Sequence, residues 1–170
     1  PMCALTVYLH DKLANKQKSN FSVDQLSQAL ELTSSEDTSN EEQKILEGIV
    51  SFGNTDTKQV MSPRIDIFAL EIDESFTEIM AKITEKGFSR IPVYRGNIDK
   101  IEGVLFVKDL IPYINKKDFN WNSLIREPFF VPENKKLDNL LKDFQNMKSH
   151  LAIVVDEYGG TSGLVSLEDV

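Results

Sequence analysis

The chain has 170 residues, a formal net charge of −8 and 41% hydrophobic residues. That is enough for a well-buried core, and the wrong sign for nucleic acid or for an anionic membrane held by charge alone. Its one cysteine, Cys3, excludes an intrachain disulfide and suits a reducing, cytosolic setting, while His10 and His150 stand too far apart in sequence to suggest a zinc cluster.

Residues 1 to about 20 contain no apolar run long enough to span a bilayer and no signal-peptide pattern. They pass from an apolar start into Asp11-Lys12-Leu13-Ala14-Asn15-Lys16-Gln17-Lys18, which suits either the exit of a membrane helix into cytosolic basic residues or an ordinary amphipathic helix. Both ends of the chain, the second at Val170 where a helix has barely begun, read as those of a fragment. A short helix is predicted over Ser22 to Leu32, with Ser22 as its cap, followed by a polar loop over Thr33 to Thr38. Ser39-Asn40-Glu41-Glu42 is a capping box leading into Ile45, Leu46, Ile49 and Val50 on one helical face, with Gly53 as the stop. A helical turn around Lys58 to Met61 meets Ser62-Pro63-Arg64, where proline breaks it and starts an extended segment through Ile67-Phe68-Ala69-Leu70.

From there one pattern of about forty residues occurs twice, offset by roughly sixty. Apolar residues first fall at helical spacing (Phe76, Ile79, Met80, Ile83; Leu137, Leu140, Leu141, Phe144). They then form β-branched runs (Ile91-Pro92-Val93; Leu151-Ala152-Ile153-Val154-Val155) and pass through Gly103 or Gly163 into a segment carrying Asp109 or Asp169. Each copy reads helix, strand, turn, strand, helix start. Between the copies, Trp121 is read as an anchor packing the connection onto the core, and Pro128 and Pro132 bracket Phe129-Phe130-Val131 as a short edge strand. Helical stripes such as Ile79 with Ile83 and Leu140 with Phe144 are expected to leave faces that a second copy of the chain would cover, giving a homodimer.

Gly163-x-x-Ser166-x-x-Asp169 is the sharpest local motif. A strand delivers the Ser166 hydroxyl to the first position of a helix, where unpaired N–H groups favour an anion such as phosphate, and Asp169 is spaced to accept from a ribose diol. Ser-x-x-Asp is equally a plain capping box. The first copy has Gly103-x-x-Phe106-x-x-Asp109, and a phenyl ring grips no phosphate, so one competent site is expected rather than two. Arg90, just before Ile91 and Pro92 at a strand mouth, suits either bidentate phosphate contact or a surface ion pair. His150 is its counterpart, either functional or a capped, half-buried imidazole. Asp156-Glu157-Tyr158-Gly159-Gly160-Thr161-Ser162-Gly163 lacks the spacing of a phosphate loop or nucleophile elbow and reads as a strand-connecting turn. No pair of carboxylates is marked as an acid/base couple, so no catalysis is expected.

Over about 64–170 the chain resembles a tandem pair of CBS domains, a Bateman module. Val60-Met61-Ser62-Pro63-Arg64, Ser89-Arg90-Ile91-Pro92-Val93-Tyr94, Leu105-Phe106-Val107-Lys108-Asp109-Leu110 and the Asp156 to Val170 segment together resemble the CorC/HlyC family, relatives of the cyclin-M (CNNM) transporters. Phe21 to Thr55 and Phe129 to Lys136 are most similar to its gliding-motility-associated GldE branch. The resemblance implies an α+β fold with a juxtamembrane helical segment over 1–60, one CBS domain over 61–114, a linker over 115–127 and a C-terminally truncated second CBS domain over 128–170. It implies a non-enzymatic module on the cytoplasmic side of a bacterial inner membrane, attached to transmembrane and corC/HlyC domains. That module would regulate divalent-cation (magnesium or cobalt) transport or gliding by binding ATP or AMP, with magnesium arriving on the nucleotide. The nucleotide would lie between the repeats, with Asp169 on ribose, Ser166 and Arg90 on phosphate, Ile91 and Pro92 beside them, Phe130 and Val131 flanking adenine, and Asp109 matching in the doubtful second site.

Overall fold

The computed structural model describes residues 40–116 and 119–170. The expectations for residues 1–39, including the helix from Ser22 and the Ser39 cap, lie outside the described residues. Helix α1 (Asn40–Asn54) belongs to a first unit of the chain and runs through Gly53, one residue past the expected stop. No helix among the described residues is long and apolar enough to cross a membrane.

The second unit, Thr55–Val170, holds both sequence repeats as two lobes. In the first lobe, strands β2 (Leu70–Glu71), β3 (Arg90–Arg95) and β4 (Asn97–Phe106) form a sheet in the order β2-β3-β4, packed by α2 (Phe76–Lys86). Helix α2 starts where Ser75 and Glu78 cap each other and stops at Gly87, whose φ of 75° only glycine adopts without strain. In the second lobe, β5 (Phe130–Pro132), β6 (Leu151–Val155) and β7 (Thr161–Ser166) are packed by α3 (Leu137–Met147). Strand β5 is at the sheet edge, where Pro132 needs no ladder donor. The turn between β6 and β7 is closed by the Asp156 carboxylate, which accepts from the N–H groups of Tyr158 (2.9 Å) and Gly160 (2.8 Å).

The helical stripes face their own sheets. Ile79 and Leu140 are 0% exposed and Phe144 2%, so these residues do not form the uncovered face from which a dimer was expected. The alternating pattern is satisfied within each lobe. Trp121, 3% exposed, anchors the connection by donating from Nε1 to the Glu74 carbonyl (2.9 Å).

The lobes exchange their lead-in segments, which the repeat alone did not reveal. Strand β1 (Ser62–Pro63) precedes the first lobe, yet it pairs antiparallel with β7 of the second, Ser62 opposite Leu164 and Pro63 opposite Gly163. The break at Ser62-Pro63 falls where expected, but a second 3-10 turn over Arg64–Asp66 follows it before the chain extends toward Leu70. Reciprocally, Arg126 ahead of the second lobe bridges Val104 of the first, with N–H to O distances of 2.9 and 3.0 Å. Both motif glycines sit under these crossings. A Cβ on Gly103 would collide with the Arg126 carbonyl oxygen, and one on Gly163 with the Ser62 carbonyl oxygen.

Arg64, last residue of the Met-Ser-Pro-Arg run, joins the lobes. Its guanidinium donates to both oxygens of Asp99 in the β4 strand and to the Thr161 carbonyl of β7 (3.0 Å), while Thr161 N–H donates back to Asp99 (2.9 Å). The Arg64 hydrogen bond, and then the Thr161 N–H, hold the Asp99 carboxyl down at about 2, from a usual 3.8. A folded-state value below the unfolded one means that this contribution to stability is complete above about pH 4 and is lost as pH falls toward 2. Asp99→Asn is therefore expected to be less stable than the wild type at neutral pH, with the difference shrinking in urea unfolding curves recorded from pH 4 downward. A difference that stays constant over that window would contradict this role for Asp99.

Candidate functional site

A cleft of about 430 Å³ opens between the two lobes. One wall comes from the segment just after the first crossing, where Ile67 and Phe68 supply apolar surface, and Leu164 of β7 extends it from the other lobe. Ser62, Ser89 and Ser166 contribute hydroxyls, Arg90 and His150 line it at the mouths of β3 and β6, and Asp66, Glu168 and Asp169 bring carboxylates. The exchanged segment and the repeat symmetry together produce this mixture, because each lobe contributes its strand mouth and borrows the other's lead-in.

Of the residues singled out by sequence, Ser166, Asp169, Arg90, Pro92 and His150 share this cleft. Ile91 does not line it, being 0% exposed within the core of the first lobe. Alternation along β3 turns Ile91 inward. Val131 is 1% exposed in the core, and Phe130 on the edge strand is 47% exposed. Neither lines this cleft or its smaller counterpart in the other half, where Pro128 and Phe129 do. The apolar wall therefore lies at Ile67 and Phe68, which sequence reading passed over as part of an extended run. Asp109 is on the far side of the pseudo-symmetry, engaged by Arg126.

The Ser166-x-x-Asp169 motif closes on itself. Asp169 Oδ2 accepts from both the Ser166 N–H and its hydroxyl, each at 2.7 Å, and the Asp169 N–H donates to the Ser166 carbonyl at 3.2 Å. This is half of the capping box that the spacing allowed, with the Asp169 carboxylate on the Ser166 N–H but the Asp169 N–H on the Ser166 carbonyl, and it closes a turn where a helix start was expected. Arg90 is different. Among the described residues its Nε is buried with no hydrogen-bond partner, and its guanidinium lies 5.3 Å from the centroid of the Phe106 ring. A buried guanidinium N–H left unpaired costs on the order of 1–3 kcal/mol, so an acceptor brought into the cleft would recover that energy. Among the described residues no group of three His, Cys, Asp or Glu side chains is placed to hold a metal ion.

The family model of the CBS domain matches residues 58–116 and 121–170. A solved CBS domain of a bacterial CNNM/CorC family Mg2+ transporter, in complex with ATP, superposes with a TM-score of 0.71 at 39% identity, covering 76% of this chain and 93% of that one. The chain is a CBS-domain pair of the CorC/HlyC family. Among curated proteins the CBS pair is 40% identical over 129 residues to Hemolysin C of Brachyspira hyodysenteriae, covering 76% of this chain and 48% of that protein. It is 37% identical over 128 residues to the magnesium and cobalt efflux protein CorC of Escherichia coli (strain K12), covering 74% of this chain and 44% of that protein. The chain thus spans less than half the length of these relatives.

Proposed function

We propose that this CBS pair is the cytosolic regulatory part of a membrane protein of divalent-cation transport, and that it binds an adenine nucleotide in the 430 Å³ cleft. It is a binding module and not an enzyme. The observation that carries the reading is the buried Arg90 Nε, unpaired among the described residues, on a side chain that lines both this cleft, with Ser166 and Asp169, and its smaller counterpart. A nucleotide phosphate offers the acceptor that this donor lacks, the ribose diol offers donors to Asp169, and Ile67 and Phe68 offer an apolar face to adenine. Support comes also from the ATP held by the related CNNM/CorC structure. Asp66 and Glu168 face the same cleft, so a nucleotide carrying magnesium, with its charge partly neutralised, suits it better than bare ATP. Attachment to a transmembrane domain, a cytoplasmic position and homodimerisation are part of this proposal. Placement in the gliding-motility branch rests only on the sequence resemblance of residues 21–55 and 129–136.

The test is thermal unfolding with AMP, ADP, ATP and Mg-ATP. A ligand that binds only the folded state raises the midpoint, by about 2.7 kcal/mol of added stability at a hundredfold excess over its dissociation constant. Mg-ATP is expected to raise it most, and Arg90→Ala to remove most of the rise. A midpoint unmoved by any of the four at millimolar concentration would overturn the reading.

One observation favours a second reading, a ligand-free dimerising scaffold: the Asp169 carboxylate is already occupied by Ser166. Exposed Ile111 (63%) and Ile114 (54%) would then be candidates for the contact. That reading is the one left standing if no nucleotide stabilises the protein while sedimentation shows a dimer.

A further inference from the structure

The two clefts of the CBS pair differ in the sign of the charge that lines them. In the larger one Asp66, Glu168 and Asp169 stand against Arg90, with His150 the one further basic group. In the smaller, of about 310 Å³, Arg90, Arg126 and Lys148 stand against the single carboxylate of Glu127, in a chain whose formal net charge is −8. Arg126 spends Nε and Nη2 on Asp109. The side chains of Arg90 and Lys148 have no hydrogen-bond or ion-pair partner among the described residues, and the Arg90 Nε is buried in that condition.

Lys148 is held at this cleft by an unusual backbone. It ends α3 in the left-handed conformation, with φ 51° and ψ 32°, and is the one non-glycine residue of positive φ among the described residues. One residue past α2, the same position in the first copy is Gly87, with φ 75°. Glycine takes this conformation freely, whereas lysine takes it at a cost. The turn itself does not need the lysine, since the Gly87 N–H donates to the Ile83 carbonyl just as the Lys148 N–H donates to that of Phe144. What the lysine adds is a cation on the cleft wall, and strain of this kind gathers at ligand sites.

The remaining wall limits what an anion bound there can be attached to. Phe129, Met147 and Leu151 give it apolar surface. Asp109, the motif carboxylate that would face a ribose, is taken by Arg126 and does not line the cleft. Its volume lies at the small end of ligand pockets. We propose that the second cleft binds a phosphate monoester of a small apolar alcohol, without ribose, and that Lys148 and Arg90 hold its phosphate. Such a monoester is close to dianionic at neutral pH and so matches the two unspent cations. Arg90 lines both clefts, and the five N–H groups of a guanidinium let it serve an anion on either side. The proposal does not rest on the nucleotide reading.

Phenyl phosphate, benzoate and inorganic phosphate are titrated into the isotope-labelled chain, with amide NMR shifts giving both the place of binding and the affinity. Phenyl phosphate is expected to move the amides of Phe129, Lys148 and Ser149 and to bind more tightly than benzoate, which has the ring and a single charge, or inorganic phosphate, which has no ring. Lys148→Gly separates binding from folding, because glycine relieves the left-handed turn. Its thermal midpoint should equal or exceed that of the wild type while its affinity for phenyl phosphate falls roughly tenfold. Lys148→Asn, which also tolerates this turn, should lose affinity to the same degree. Shifts confined to Ser166 and Asp169, no saturation by millimolar phenyl phosphate, either control binding as tightly, or wild-type affinity in both Lys148 variants would each overturn the proposal.

Discussion

Asp169→Ala is expected to weaken nucleotide binding by roughly tenfold to a hundredfold, corresponding to the loss of a charge-assisted contact of about 1.5–3 kcal/mol, while Asp109→Ala leaves most of the affinity intact. The asymmetry follows from the partners of the two carboxylates. Among the described residues Asp169 accepts from Ser166, a residue of its own turn that lies in the same open cleft, so a ribose diol can replace those donors at little cost. Asp109 is held by Arg126 through two donors. Titration calorimetry of both variants with Mg-ATP checks this. Equal losses would mean that both halves take nucleotide and that the substitution of Phe106 for a hydroxyl has no consequence for binding.

The second large effect concerns the crossing of chains under the motif glycine. Gly163→Ala is expected to destabilise the protein by about 1–3 kcal/mol, because the added methyl group meets backbone, the Ser62 carbonyl oxygen, which no rotamer change can move, and also lies 2.8 Å from Met61 Sδ. Relief would require β1 to lift off β7, and β1 carries Ser62 and leads into Asp66, Ile67 and Phe68, which line the cleft. The variant should therefore lose nucleotide stabilisation along with fold stability. Gly48→Ala in α1 is the control: nothing lies within 4 Å of a Cβ there, and removing a glycine from a helix interior favours the helix. Urea unfolding distinguishes the two, and a Gly163→Ala protein as stable as wild type would show that the close approach is readily relieved.

Much of this architecture was legible in the chain because it depends on local or periodic signals. Helical spacing at Phe76, Ile79 and Ile83 and again at Leu137, Leu140 and Phe144 marked the two helices, since one buried face requires a period near 3.6. Pro132 marked an edge strand because it has no N–H to give a neighbour, and the Asp156 to Gly160 turn was marked by residue types that close turns. The fixed offset between Gly103 and Gly163 announced two copies of one unit, and Phe106 announced that the copies were chemically unequal.

What sequence could not supply was everything that depends on which surfaces meet. Phe130 and Val131, expected to flank adenine, do not line the cleft, whose apolar wall is formed by Ile67 and Phe68, because the facing of a residue is set by strand register, and a shift of one position turns a side chain from cleft to core. The dimer-forming stripes expected on the helices are consumed by the sheets of their own lobes. Arg126 carried no signal of its own, and Arg64 only that of the Met-Ser-Pro-Arg run, which marks a resemblance and not a contact, since an arginine in a lead-in segment has the composition of any solvated cation. Only the exchange of those segments between lobes brings Arg64 onto Asp99 and Arg126 onto Phe106 and Asp109. The sequence by itself determined the elements, their repetition and the inequality of the two motifs. The tertiary structure decided which residues face one another across the lobes, because contacts between residues 17 or more apart are set by the packing of whole sheets and not by any local preference of the chain.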